Sequence, residues 1–128
     1  MSPKPEVLTV STSVHGSDRA VVSLVGELDA DTAVALQHQL AALVLQGRKY
    51  IVLDLAEVPF MDSSGLNSVL RARSETLRHD GSLLLAAPGP AVRRLLDLTG
   101  VSLTSPLYAA TEDALAALGD GASAPGRR

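Results

Sequence analysis

The sequence predicts a single α/β domain on a mixed β-sheet, opening with an N-terminal antiparallel hairpin and carrying helices after the central strands. Three observations lead there. Leu8, Val10, Thr12 and Val14 alternate with Thr9, Ser11 and Ser13, the period of a strand with one wet face. Two later runs, Tyr50 to Leu55 and Leu83 to Ala87, are almost continuously apolar, as in strands covered on both faces. Stretches of helical period follow those runs, and a hairpin followed by alternating elements implies a mixed sheet.

Taken in order, residues 1–7, with Pro3 and Pro5, read as a loose leader to a domain spanning 8–118. His15-Gly16-Ser17-Asp18 is a turn cluster between the first strand and a second, Ala20 to Val25. Gly26-Glu27-Leu28-Asp29 leaves that strand, and Asp31 or Thr32 suits a helix N-cap. Ala33, Leu36, Leu40, Leu43 and Val44 recur at helical spacing up to Gly47. After the apolar strand at 50–55 comes a second helix, whose inner face is expected to hold Leu66, Val69, Leu70 and Leu77. His79-Asp80-Gly81 turns into the strand Leu83 to Ala87. Pro90 suits the first position of a short helix with an inner stripe of Val92, Leu95, Leu96 and Thr99, ended by Gly100. Val101 to Tyr108 reads as a short edge strand broken by Pro106. Thr111 is placed to cap a last helix, with Glu112 and Asp113 in its first turn, and 119–128 reads as a disordered tail.

Composition narrows the function. The formal net charge is −3, so there is no basic field to hold a phosphate backbone. Aromatics are 2%, too few for base-stacking platforms. Direct nucleic-acid binding is therefore not expected. The chain has no cysteine, which excludes disulfides and thiolate chemistry. His15, His38 and His79 are scattered without ligand spacing, and no metal or other cofactor is expected. Neither a phosphate-cradling glycine loop nor a nucleophile elbow is present. No apolar run approaches the length needed to span a membrane, so the expected location is the cytoplasm.

The informative stretch is Phe60-Met61-Asp62-Ser63-Ser64-Gly65-Leu66. Asp62, Ser63 and Ser64 are all good N-caps for the helix that follows, which is one complete reading of them. The other is functional. Two serines stand where one cap would suffice, and Gly65 lowers helix propensity by about 1 kcal/mol relative to Ala while admitting another molecule close to the backbone.

This stretch resembles the phosphorylation-site signature of the bacterial anti-sigma factor antagonists, the STAS-domain family. Gly26-Glu27-Leu28-Asp29 resembles the turn after that family's second strand, Tyr50-Ile51-Val52-Leu53-Asp54-Leu55 its central strand, and Val92-Arg93-Arg94-Leu95-Leu96-Asp97-Leu98-Thr99-Gly100 its third helix and the turn after it. The four matches fall in order from about Leu8 to Leu118. The resemblance implies that Ser63 is the phosphorylated residue, that Ser64 is a neighbouring serine or threonine position, and that Asp29 and Asp62 are acidic positions beside the site. Relatives often carry glycine where Asn67 stands. With Leu66 facing the core, Asn67 and Arg71 become candidates for the exposed contact face beside Gly65.

The implied function is transcription regulation by partner switching. The partners are an anti-sigma factor that is also an ATP-dependent serine kinase, and a metal-dependent serine phosphatase. The chain itself would be kinase substrate and binding module, with no catalytic residue. Alternatives are a non-phosphorylated STAS interaction subunit of a transporter or stress-signalling complex, a nucleotide-binding or hydrolytic protein, and an interaction domain whose serines only cap.

Overall fold

The computed structural model describes residues 8–118. The leader at 1–7 and the tail at 119–128 lie outside the described residues. Strands β1 (Thr9–His15), β2 (Arg19–Val25), β3 (Tyr50–Glu57), β4 (Ser82–Ala86) and β5 (Leu107–Tyr108) form one sheet in the order β1-β2-β3-β4-β5. The helices are α1 (Ala33–Leu45), α2 (Ser63–Arg78), α3 (Pro90–Leu98), α4 (Val101–Thr104) and α5 (Thr111–Ala117). β1 and β2 pair antiparallel from Thr9 opposite Val25 to His15 opposite Arg19, and all later pairs are parallel. The mixed sheet with its N-terminal hairpin is the architecture that the alternation and the apolar runs predict.

Side-chain parity assigns the two faces of the sheet. Ala20, Val22 and Leu24 of β2, Ile51, Leu53 and Leu55 of β3, and Leu83 and Leu85 of β4 share one core with Leu36, Leu40 and Leu43 of α1, Leu66, Val69 and Ala72 of α2, and Val92 and Leu96 of α3. The opposite parity, Val21, Val52 and Ala86, meets Ala114 of α5 and Leu118 at its end. β3 is thus covered on both faces, which explains why its sequence does not alternate. Each fully buried leucine contributes about 1.5–3 kcal/mol, so aliphatic side chains alone can hold the sheet and α2 together.

Several expectations need correction. Leu77 is exposed and Leu70 half-buried, while Ala72 and Thr76 take the inner positions of α2. The buried arc of α2 is centred on Val69 and Thr76, and Leu70 and Leu77 fall at its margin. Thr76 is tolerated inside because its hydroxyl donates to the Arg73 carbonyl at 2.8 Å. On α3, Thr99 is exposed and its hydroxyl donates back to the Leu95 carbonyl, leaving Val92 and Leu96 as the buried stripe. Val101 to Thr104 is a helical turn, and only Leu107 and Tyr108 pair as an edge strand after Pro106. Thr111 is the first residue of α5 and Ala110 its cap. β4 ends at Ala86, because Ala87 turns to φ 57°.

Candidate functional site

The site forms where the chain leaves the carboxyl ends of β2 and β3. The β2–β3 register shifts between Ser23 and Val25, and Gly26 then takes φ 126°, a conformation that side-chain-bearing residues rarely adopt. The Gly26 amide donates to the Glu57 carbonyl at 3.1 Å. Beyond it, the Leu28 amide donates to the Phe60 carbonyl at 3.1 Å and the Asp62 amide to the Leu28 carbonyl at 3.3 Å. Leu28 and Met61 thereby make an isolated parallel bridge, and both are buried. The two loops are stitched together past the end of the sheet, so Asp29 and Asp62, each following a bridged residue, emerge side by side.

Asp62 is the N-cap of α2. Its backbone is extended, and its carboxylate accepts from the Gly65 amide at 2.9 Å. Ser63 and Ser64 occupy the first two helical positions and are exposed. Neither their hydroxyls nor their amides bond to any other described residue. The reading in which the serines serve only as caps is overturned, because one aspartate already does that job. The free amides and the helix dipole leave this turn favourable to negative charge.

Gly65 is buried, and the expectation that it admits another molecule is corrected. A Cβ at this position would overlap the Leu28 carbonyl oxygen and lie 2.8 Å from its carbon. The space is taken by the chain's own bridged loop. Leu66 faces the core as expected.

Asp29 turns back into its own loop. Its Oδ1 accepts from the Asp31 amide at 3.0 Å and the Thr32 amide at 3.1 Å, and its backbone amide donates to Thr32 Oγ1 at 3.0 Å. The Thr32 hydroxyl in turn donates to the Glu27 carbonyl at 2.8 Å, and Thr32 is buried. Of the two caps proposed for α1, Thr32 stands at the N-cap, but its side chain makes no capping bond and the carboxylate at the turn comes from Asp29. Sequence reasoning underrated Thr32, a polar residue inside the turn motif and the signal that a hydroxyl latch was available.

Ser64, Asn67 and Arg71 share one stripe of α2 and line an open groove of about 330 Å³ against Ala33, Val34 and His38 of α1. Asn67 and Arg71 are exposed, as expected for a contact face. Gln37 ties the helices together there, donating to the Ser68 carbonyl at 2.7 Å. Phe60, at the head of the stretch that carries Asp62 and the serine pair, is 48% exposed. Among the described residues, no group of three or more His, Cys, Asp or Glu could hold a metal ion, and no helix is long and apolar enough to cross a membrane.

Comparison with known proteins agrees with this architecture. The STAS domain family model matches residues 9–114. The chain is 34% identical to the anti-sigma-F factor antagonist RsfB of Mycobacterium tuberculosis over 87% of this chain and 89% of that protein. It is 30% identical to an anti-sigma-B factor antagonist of Staphylococcus epidermidis, covering 73% of this chain and 86% of the other. An anti-sigma factor antagonist from Mycobacterium paratuberculosis superposes with a TM-score of 0.81 at 36% identity, over 91% of this chain and 98% of that one. The anti-sigma factor antagonist SpoIIAA in its unphosphorylated form superposes with a TM-score of 0.74 at 25% identity, over 86% and 96%. The hairpin-led mixed sheet, the bridged loops and the serine pair at the head of α2 thus sit in a chain that belongs to the STAS-domain family of anti-sigma factor antagonists.

Proposed function

We propose that this chain binds an anti-sigma factor that is a serine kinase, so freeing a sigma factor, and that phosphorylation of Ser63 ends the binding. The observation that carries this reading is the division of labour at the head of α2. Asp62 caps the helix, and Ser63 is left exposed with an unengaged hydroxyl on the capped first turn. A similar protein, SpoIIAA, is known in a form named as unphosphorylated, which supports a phosphorylation cycle in the family.

In the proposed step, Ser63 Oγ attacks the γ-phosphorus of ATP held by the kinase. The new Oγ–P bond forms as the bond to the ADP oxygen breaks, and the hydroxyl proton passes to a base on the kinase. This chain contributes the hydroxyl and its fixed position, and no catalytic group. A metal-dependent phosphatase restores the serine. The cycle belongs in the cytoplasm, with its ATP and its transcription machinery.

The test uses purified anti-sigma factor kinases from the same genome. The expected result is one phosphate per chain on Ser63, tight binding by Ser63→Ala and weak binding by the phosphorylated form. A phosphate mapped to Ser64, or none from a kinase that binds the chain, would overturn the reading.

A further inference from the structure

Asn67 and Arg71 stand four residues apart on α2 and both line the groove against α1. That spacing puts them on one helix stripe, within reach of a common ligand group. Both are exposed, and neither side chain has a hydrogen bond or ion pair with any described residue. Five of the other described arginines are engaged, Arg19 with Asp18, Arg78 with Glu75, Arg93 with Asp97, and Arg48 and Arg73 with backbone carbonyls, while Arg94 on α3 is exposed without a side-chain partner among the described residues.

The groove beneath them is already built. Gln37 Nε2 donates to the Ser68 carbonyl, and the Ser68 hydroxyl donates to the Gly65 carbonyl, each at 2.7 Å. These internal donors are engaged, which leaves the Asn67 amide and the Arg71 guanidinium, together with the Ser64 hydroxyl and the His38 ring, as the unengaged donors lining the groove. Ala33 and the half-exposed Val34 supply an apolar wall that would shield a bound ion pair from water. Arg71 also contrasts in sign with the exposed Asp31 on the adjoining loop and with Asp62 at the helix cap. A polyanion would be repelled by those carboxylates and by the net charge of −3. A single carboxylate carried by a folded partner can be aimed at Arg71, with His38 on the facing wall of the groove. Opposite signs placed next to each other fix the register of a partner more than they add raw affinity.

We propose that Asn67 and Arg71 are a recognition pair for an Asp or Glu side chain of the kinase, and that this contact selects which kinase the chain answers to. The proposal rests on the function proposed above. The guanidinium takes the carboxylate through two parallel N–H bonds, and the Asn67 amide donates to an oxygen from one turn earlier. Ser64 lies on the same stripe, so the contact adjoins the turn that carries Ser63.

The experiment measures binding of the purified kinase to the unaltered chain, Arg71→Glu, Arg71→Ala, Asn67→Ala and the double alanine variant at two salt concentrations. Arg71→Glu is expected to raise Kd about tenfold or more. Asn67→Ala is expected to raise it about threefold, with the double variant weakened by less than the product of the singles because both act on one carboxylate. Melting temperatures should stay close to that of the unaltered chain, since both side chains are exposed, and added salt should weaken the unaltered chain more than Arg71→Ala. Reversing the matching kinase carboxylate to Lys should restore binding of Arg71→Glu. Equal Kd values for the unaltered chain and Arg71→Glu would overturn the pair while leaving the proposed function standing. A salt-sensitive dimer of the chain alone, dissolved by Arg71→Glu, would assign the groove to a second copy and overturn it too. Failure of the unaltered chain to bind any of the kinases would remove the proposed function and this inference with it.

Discussion

The α-carbon of Gly65 rests against the backbone carbonyl of Leu28, leaving no room for a Cβ. This contact joins the first turn of α2 to the loop after β2, and the Leu28–Met61 bridge runs beside it. The loop cannot move away without breaking the Leu28–Phe60 and Asp62–Leu28 hydrogen bonds. Gly65→Ala is therefore expected to destabilise the fold by about 1–3 kcal/mol, the range for overpacking a close-packed site. Gly89→Ser is the control: Gly89 is the N-cap of α3, and nothing lies within 4 Å of where its Cβ would be. Chemical denaturation of both variants checks the difference, and equal stabilities would refute the close-contact account.

The cap at Asp62 makes a second, separable prediction. Asp62→Ala removes the acceptor for the Gly65 amide and should lower stability by about 0.5–2 kcal/mol, while Asp62→Asn keeps an acceptor and should lose less. Ser63→Ala should change stability by less than about 0.5 kcal/mol, because the side chain is exposed and makes no bond. A Ser63→Ala variant as unstable as Asp62→Ala would mean that Ser63 caps after all.

Thr32 carries the third prediction. Its side chain is buried, and its hydroxyl donates to the Glu27 carbonyl and accepts from the Asp29 amide. Thr32→Val keeps the shape and removes both hydrogen bonds, which at about 0.5–1.5 kcal/mol each should cost about 1–3 kcal/mol. Thr32→Ser keeps the hydroxyl and should recover most of that loss. The measurement is paired thermal melts. Valine and serine variants of equal stability would show that the latch is unimportant.

The strands and most helices were legible because burial imposes period. Two-sided coverage made β3 and β4 continuous apolar runs, and one wet face made β1 alternate. The inner face of α2 was legible less well. Thr76 buries its hydroxyl by back-bonding to Arg73, while Leu77 faces solvent at the end of the helix. Hydrophobicity alone ranks those two neighbours the wrong way round. The candidate residues at the head of α2 stood out by type, since the serine pair directly follows Asp62. Their division of labour was not legible, because choosing among three possible caps requires the direction of one carboxylate. The role of Gly65 was also hidden, since the atom it must avoid belongs to a residue remote in sequence.

The last prediction concerns what a phosphate on Ser63 does. It would add about −1.5 to −2 charges near neutral pH, with a second pKa near 6. The Ser63 and Ser64 amides have no acceptor among the described residues, so the head of α2 can receive some of that charge. Asp62 stands next to it but is only half-buried, and solvent screens the repulsion. The fold should therefore melt at nearly the same temperature in both forms. The energetic loss then falls on the interface. An unpaired charge desolvated against the partner can cost several kcal/mol, and each ~1.4 kcal/mol weakens binding tenfold. The second negative charge appears as pH rises through about 6, so the phosphorylated chain should bind still more weakly at about pH 7.5 than at about pH 5.5. The unphosphorylated complex, titrated over the same range, removes the contribution of the partner's own ionisations. Thermal melts of both forms and affinities at the two pH values decide the matter. A large fall in melting temperature on phosphorylation would mean that the switch works by unfolding the head of α2, and a pH-independent affinity ratio would mean that bulk, not charge, breaks the complex.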